Sequence, residues 1–261
     1  MSESEEVKGD EAVEAEPTIG LHEYRRRSRR SLLVGGAATV AGLLGWRWVQ
    51  TQPTDDNIPK VLRNTHELNE SIWSGLFRDD HLANTFARDK ASVLRVNGRQ
   101  GLRSEIDLER WELRVEDDDG SLLGTHSLEE LRSLDQHDMT IEHKCIEGWS
   151  QITNWGGPRF SDFAALYANR GVTNRKYVYM STPDDEYYVS VDMDTMLHPQ
   201  TLLVHEMLGE PLDLDHGAPL RMATTLKYGI KQIKRIGLIR FTDKRVGDYW
   251  GERGYDWYAG L

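Results

Sequence analysis

One cysteine, Cys145, in a chain of 261 residues settles more about this protein than any other single feature. It rules out a disulfide framework within the chain, and with it the small cross-linked secreted folds. A cysteine-rich zinc site and a cysteine-held iron–sulfur cluster are excluded in the same way. Stability must then come from a core, and 38% hydrophobic residues with eight Trp and ten Tyr are enough to build one. If the chain handles electrons, one thiolate on one metal is the economical arrangement. A lone cysteine is more commonly a small buried apolar residue, so the surroundings of Cys145 must decide.

The length fits one large domain with a tail, or two small domains. A net charge of −11 argues against a nucleic-acid partner, because phosphate contacts need a basic face. A soluble, self-repelling surface accounts for the acidity. That charge is unevenly spread. Residues 1–16 carry seven acids and one Lys, which predicts a disordered acidic tail. Arg25, Arg26, Arg27, Arg29 and Arg30 follow, and after them an apolar run rich in Gly and Ala from Leu32 to Trp46. A charged region before an apolar one is the layout of an export signal. Ser28-Arg29-Arg30-Ser31-Leu32-Leu33 resembles the twin-arginine motif, read by machinery that exports folded, cofactor-loaded proteins. An ordinary buried or membrane helix with a basic flank fits the same residues. The run falls short of the roughly 20 residues that span hydrocarbon comfortably, although Trp46 and Trp48 suit an interface. No A-x-A cleavage site follows, so an uncleaved anchor within residues 1–50 is the expectation.

Residues 51–59, with two prolines, read as a linker. From residue 60 to 261 the chain is continuously globular. Helical spacing of Val61, Leu62, Leu68, Ile72, Trp73 and Leu76 predicts a helix over 60–77. Alternation through VLRVNG and WELRVEDDDG within 93–120 predicts strands, LEELRSL (128–134) a short helix, and 176–183, 187–193 and 238–243 further strands. With no internal repeat, a single mixed, β-rich α+β domain is the simplest account.

The cysteine sits in HKCIEGWSQITNWGGPRF (143–160), where Gly148, Gly156 and Gly157 alternate with Trp149, Trp155 and Phe160. Glycines there permit close backbone approach to a large planar ligand, and a soft thiolate suits a soft, high-valent metal. Further on come LLVHEMLGEPLDLDHGAPLR (202–221) and KYGIKQIK (227–234). These segments, with the strand at 177–181, stand in an order that resembles the sulfite oxidase-type molybdopterin-dependent oxidoreductases, over about residues 58–261.

The resemblance implies a molybdenum–molybdopterin cofactor with Cys145 as the protein ligand to the metal. It places Arg63, Asn64, His66 and Glu67 in an early pterin-binding segment, and Thr182 where a polar side chain contacts the cofactor. His216 and Arg221 would hold the pterin and its phosphate, with Gln232, Ile233 and Lys234 wrapped around that phosphate. These residue types suit the task, since Arg offers a bidentate fork and Lys a point charge to an anion. Gly217 and Pro219 would fix a tight turn between His216 and Arg221. Tyr187 or Tyr188 could donate a hydrogen bond to the transferring oxygen, though a strand tyrosine is more commonly core. Taken singly, His216 could cap a turn, and Lys227, Lys231 and Lys234 could form a solvated helical face. The aromatic–glycine tail at 248–260 reads as packing rather than chemistry.

Sulfite oxidases of animals and plants follow the cysteine with basic residues; here Ile146-Glu147-Gly148-Trp149-Ser150 follows. An acid at this place repels an anionic substrate, and the Cys-x-Glu-x-Trp-Ser pattern is closer to the bacterial periplasmic subunit that reduces methionine sulfoxide in proteins. The resemblance therefore implies an enzyme on the outer, periplasmic side of the membrane. It would reduce a small-molecule or protein-bound S-oxide with electrons from a haem-containing or quinone-linked membrane subunit. A sulfite dehydrogenase with the same cofactor is the first alternative. A redox-inactive, membrane-anchored binding module is the second.

Overall fold

The computed structural model describes residues 20–55 and 57–261. The expected disorder of residues 1–16 lies outside them. The chain divides into two units between Gln52 and Pro53. Within the first unit, one continuous helix, α1 (Leu21–Gln50), takes in the arginine cluster and the apolar run together. None of its residues is buried, and by length and composition it could cross a membrane.

The second unit opens with a two-stranded hairpin, β1 (Thr54–Asp55) and β2 (Ile58–Pro59), where the sequence read as linker. Asn57 takes a left-handed φ of 64°, a conformation its short polar side chain tolerates better than most. Helix α2 (Lys60–Leu76) follows, within a residue of its expected end. Then come β3 (Glu112–Glu116), β4 (Leu122–Ser127), α3 (Leu128–Arg132), β5 (Gln136–Lys144), β6 (Ser150–Pro158) and α4 (Phe160–Ala165). The rest comprises β7 (Tyr177–Ser181), β8 (Tyr188–Asp192), α5 (Met193–Leu197), β9 (Thr201–Val204), β10 (Glu206–Met207), β11 (Glu210–Pro211), β12 (Arg221–Thr224) and β13 (Leu238–Thr242). The expected α+β, β-rich class is the one observed.

Three sheets organise this unit. A five-stranded sheet runs β4-β3-β13-β7-β8, antiparallel except for the parallel β3–β13 pair. The period-2 alternation of its strands puts Leu113, Val115, Val178, Met180, Val189, Val191, Ile239 and Phe241 into one core, closed by Phe160 and Phe163 of α4. A second sheet runs β11-β10-β6-β5. Its Ile141 and Trp155 form another core with Leu202, Val204 and Ala223. The β9–β12 ladder lies between the two cores, contributing Leu203 and Met222 to the first and Leu202, Val204 and Ala223 to the second. Buried on both faces, it is the rigid floor on which Arg221 stands.

Two sequence expectations change. VLRVNG (93–98) forms no strand. The Gln151 side chain instead takes the Arg95 backbone N–H at 2.9 Å, which leaves the stretch as an extended loop. Gly156 and Gly157 do not clear space for a ligand: a Cβ on Gly157 would stand 2.0 Å from the Leu203 carbonyl, and one on Gly156 3.2 Å from Glu206. Those two glycines let β9 and β10 pack against β6.

Candidate functional site

The β5–β6 hairpin is the longest strand pair among the described residues, and Cys145 sits at its tip. The turn Cys145–Gly148 is closed by Gly148 N–H donating to the Cys145 carbonyl at 3.1 Å, while Cys145 N–H donates to the Trp149 carbonyl at 2.9 Å. Gly148 ends the turn at φ 88°, which a side chain would strain. The tip therefore holds the thiol on two long strands rather than on a mobile loop.

A cavity of about 280 Å³ opens beside the thiol, at the small end of the usual range for ligand clefts. Its walls come from four places: the hairpin tip, the loop around Asn97, Arg221 at the start of β12, and the 229–234 turn. Trp250 and Tyr255 from the C-terminal segment complete it. Cys145 is buried, and the Asn97 amide approaches its sulfur at 3.6 Å.

The basic end of the cavity has an unusual electrostatic character. Arg221 is fully buried, with its guanidinium 4.4 Å above the Trp155 ring and Nη1 donating to the His216 carbonyl at 3.0 Å. Its Nε has no partner, and among the described residues no carboxylate forms an ion pair with it. Lys234 spends its ammonium on backbone carbonyls, of Asn97 (2.9 Å), Gly98 (3.3 Å) and Asp215 (2.8 Å). Burial first, then the nearby Arg221 charge, pulls its pKa down to about 8. A fully buried guanidinium beside a half-buried ammonium, neither ion-paired to a carboxylate among the described residues, is costly. The arrangement is explained by an anion that belongs there.

His143, immediately below the tip, is pulled down to about 3 by burial and by the Arg221 charge, so its ring is neutral at physiological pH. Gln232 donates its Nε2 to the Thr224 and Lys227 carbonyls, at 3.0 Å each, which leaves Oε1 to face His143 Nδ1 at 3.2 Å. Nδ1 must then carry the proton, and Nε2 offers a lone pair to an N–H donor. Glu147, also in the wall, accepts from Trp149 Nε1 (3.0 Å) and Asn97 Nδ2 (3.3 Å), and these bonds hold its carboxyl below the usual range.

The family model described as the oxidoreductase molybdopterin binding domain matches residues 100–250, more than half of the chain. This chain belongs to that family. It is a molybdopterin-dependent oxidoreductase. A candidate protein-methionine-sulfoxide reductase subunit, YedZ1, of Azospira oryzae is 30% identical over 93% of this chain and 89% of that protein. The protein-methionine-sulfoxide reductase catalytic subunit MsrP of Campylobacter jejuni is 23% identical over 91% of this chain and 81% of its own length. A solved chain of the sulfane dehydrogenase SoxCD from Paracoccus pantotrophus overlays with a TM-score of 0.47 at 19% identity, covering 54% of this chain and 40% of that one.

The residues present fit such a cofactor. No cluster of three or more His, Cys, Asp or Glu that could hold a metal exists among the described residues, so a metal here must bring its remaining ligands with it. A molybdopterin would do so, and it would also bring a phosphate to a region where the Arg221 guanidinium has no carboxylate and its Nε no partner.

The structure sorts the sequence-derived candidates by position. Cys145, Arg221, Gln232, Lys234 and Tyr187 line the cavity together. The Tyr187 hydroxyl, however, donates to the Ile230 carbonyl at 2.5 Å, and burial raises its pKa far above neutrality. It is a phenol that fixes the 229–234 turn. The remaining candidates stand behind the wall. Tyr188 turns its hydroxyl to Glu252. Thr182 packs under Gly101 and bonds to Asp184 at 2.6 Å. Ile233 belongs to the first core. His216 uses both ring nitrogens, on the Asp213 carboxylate (2.8 Å) and the Leu94 carbonyl (2.7 Å). Its contribution is its backbone carbonyl, which orients Arg221.

Arg63 is buried and bonds to the carbonyls of Gly251 and Tyr255, at 2.9 Å each, bracing the segment that presents Trp250 and Tyr255. Asn64 and Glu67 are exposed and His66 half-buried, all outside the cavity wall. Nor do Lys227 and Lys231 form a solvated face. Both are buried, paired with Asp192 (2.7 Å) and with Asp248 respectively.

Wall residues from three parts of the chain escaped the sequence reading. Asn97-Gly98 carried the signal of a turn, but the surrounding alternation suggested a strand. His143 lay two places before the cysteine. The C-terminal tail, read as packing, supplies Trp250 and Tyr255.

Proposed function

We propose that this oxidoreductase reduces an S-oxide, with a methionine sulfoxide side chain the best-fitting substrate, on the outer face of the cytoplasmic membrane. The observation that carries this reading is the part of the wall formed by Glu147, Trp149, Trp250 and Tyr255, which sets a carboxylate and aromatic rings in the cavity of Cys145, while Arg221 and Lys234 are assigned to the cofactor's phosphate. Glu147 stays ionised and disfavours a dianion. Trp149, Trp250 and Tyr255 offer an apolar surface to a neutral thioether and exclude water. A third cation of the cavity, Arg95, has its guanidinium over the Trp149 ring at 5.4 Å. The names of the Azospira and Campylobacter relatives point the same way.

Bound here, the cofactor supplies a two-electron couple and oxygen-atom exchange. The protein's own residues bind, orient and shield it. Cys145 would be the ligand to molybdenum, and the Asn97 amide approaches its sulfur at 3.6 Å. Arg221 and Lys234 would neutralise the cofactor's phosphate, and the lone pair of His143 Nε2 would be available to an N–H donor of the bound group. Gln232 holds His143 in the required tautomer. In the overall reaction the S=O bond breaks, two electrons and two protons enter, and a thioether and water leave.

Those electrons come from a haem-containing or quinone-linked membrane subunit, and α1 serves as a twin-arginine signal retained as an anchor. The Arg25–Arg30 cluster ahead of the apolar run supports that orientation, with positive charge inside and the catalytic unit outside.

Purified, molybdenum-loaded protein tests the reading in two assays. With reduced viologen as donor, methionine sulfoxide is consumed; with ferricyanide as acceptor, sulfite is not oxidised. Turnover of sulfite without sulfoxide reduction would reverse the assignment.

A further inference from the structure

Helix α2 is amphipathic the wrong way round for a surface helix. Its polar side, with Arg63, His66 and Glu70, is turned to the catalytic unit. Arg63 is bonded to the 251–255 segment, and Glu70 is paired with Arg245 at 2.8 Å. Its apolar side faces outward: Leu62 is 41% exposed, Leu68 60%, Ile72 49%, Trp73 55% and Leu76 61%. At about 100° per residue these five fall within an arc of about 140°, on the side opposite Arg63. Thr65 and Asn69 interrupt that arc, and no charged side chain does. Because the ion pair and the carbonyl bonds fix the polar side, the helix cannot roll its apolar side into the core. Contiguous exposed apolar surface of this kind marks a contact with something else.

We propose that this face of α2 lies in the interfacial layer of a lipid bilayer and seats the catalytic unit against the membrane surface. The proposal rests on α1 being a retained anchor. Nine residues separate Gln50 from Lys60, so the start of α2 can stray at most about 35 Å from the end of α1. The arc is apolar and carries no charged side chain, which suits a fluid, apolar, shape-tolerant surface. Trp73 is a residue type that settles at the lipid–water boundary. With no cation in the arc, seating needs no anionic lipid.

Full-length holoenzyme in phosphatidylcholine vesicles, with and without bromine on the acyl chains, tests this. Retention after a carbonate wash reports on α1, and bromine quenching of Trp73 reports on α2. The expected result is retained protein whose quenchable emission falls by about one third in W73F, Trp46 and Trp48 supplying the rest. Turnover of a soluble sulfoxide should be unchanged in that variant. Protein that washes off overturns the anchor, and this proposal with it. Retained protein whose quenching is identical in W73F overturns the proposal alone, as does shielding of Trp73 that needs a co-reconstituted membrane subunit.

Discussion

At the scale of single residues, the site is defined by what its charged groups lack. Arg221 has a buried guanidinium with no carboxylate and an unpartnered Nε, a condition that costs free energy unless an anion arrives. Arg221→Met should therefore abolish cofactor retention while leaving the cofactor-free protein equally stable, or more stable by about 1 kcal/mol or more. Chemical denaturation of apo protein alongside metal analysis checks both halves; a destabilised apo variant contradicts the account. His143 gives a prediction in pH. Its folded pKa, near 3, lies below the unfolded value of about 6.5, so the unfolded chain binds the extra proton. Its contribution is complete above about 6.5 and is lost as pH falls toward 3, by up to about 1.4 kcal/mol per pH unit. Urea titrations between pH 7 and 4 should show a slope about one proton shallower in His143→Gln.

At the scale of elements, two turns do the positioning. The Cys145–Gly148 turn points the thiol from a hairpin of two nine-residue strands. Gly217, at φ 104°, leads from His216 into the strand bearing Arg221. A Cβ on Gly217 would stand 2.7 Å from the Cβ of Lys234. Gly217→Val should thus destabilise by about 1–3 kcal/mol and lower cofactor content, because it pushes Lys234 from Arg221. Thermal melting with metal analysis reads both; an unchanged melting temperature contradicts the close packing described. Elements with a clear period were legible in the sequence. Helix α2 and the strands β7, β8 and β13 follow their apolar spacing. The β5–β6 hairpin was not, because its glycines, Asn154 and histidines break the alternation that marks a strand. Those same residues let β9 and β10 pack close and place His143 in the wall.

At the scale of the whole molecule, the chain joins a helix able to cross a membrane to an α+β unit built around one thiol. The sequence carried the family through the order of its segments, the cysteine stretch, the 202–221 run and KYGIKQIK, which the family model matches within residues 100–250. It did not carry the side-chain directions. His216 and Thr182 read as cofactor contacts, yet their polar groups are spent on neighbouring loops, and no spacing rule reports where a hydrogen bond goes. The wall residues Asn97 and Trp250 come from far ends of the chain, brought together only by the fold.

Molybdenum and pterin content of full-length protein from a molybdenum-replete host, set beside Cys145→Ser, tests the central claim most directly. The account predicts about one metal and one pterin per wild-type chain, and a folded Cys145→Ser variant that has lost the metal. Wild-type protein with neither group, or a serine variant that keeps its molybdenum, would contradict it.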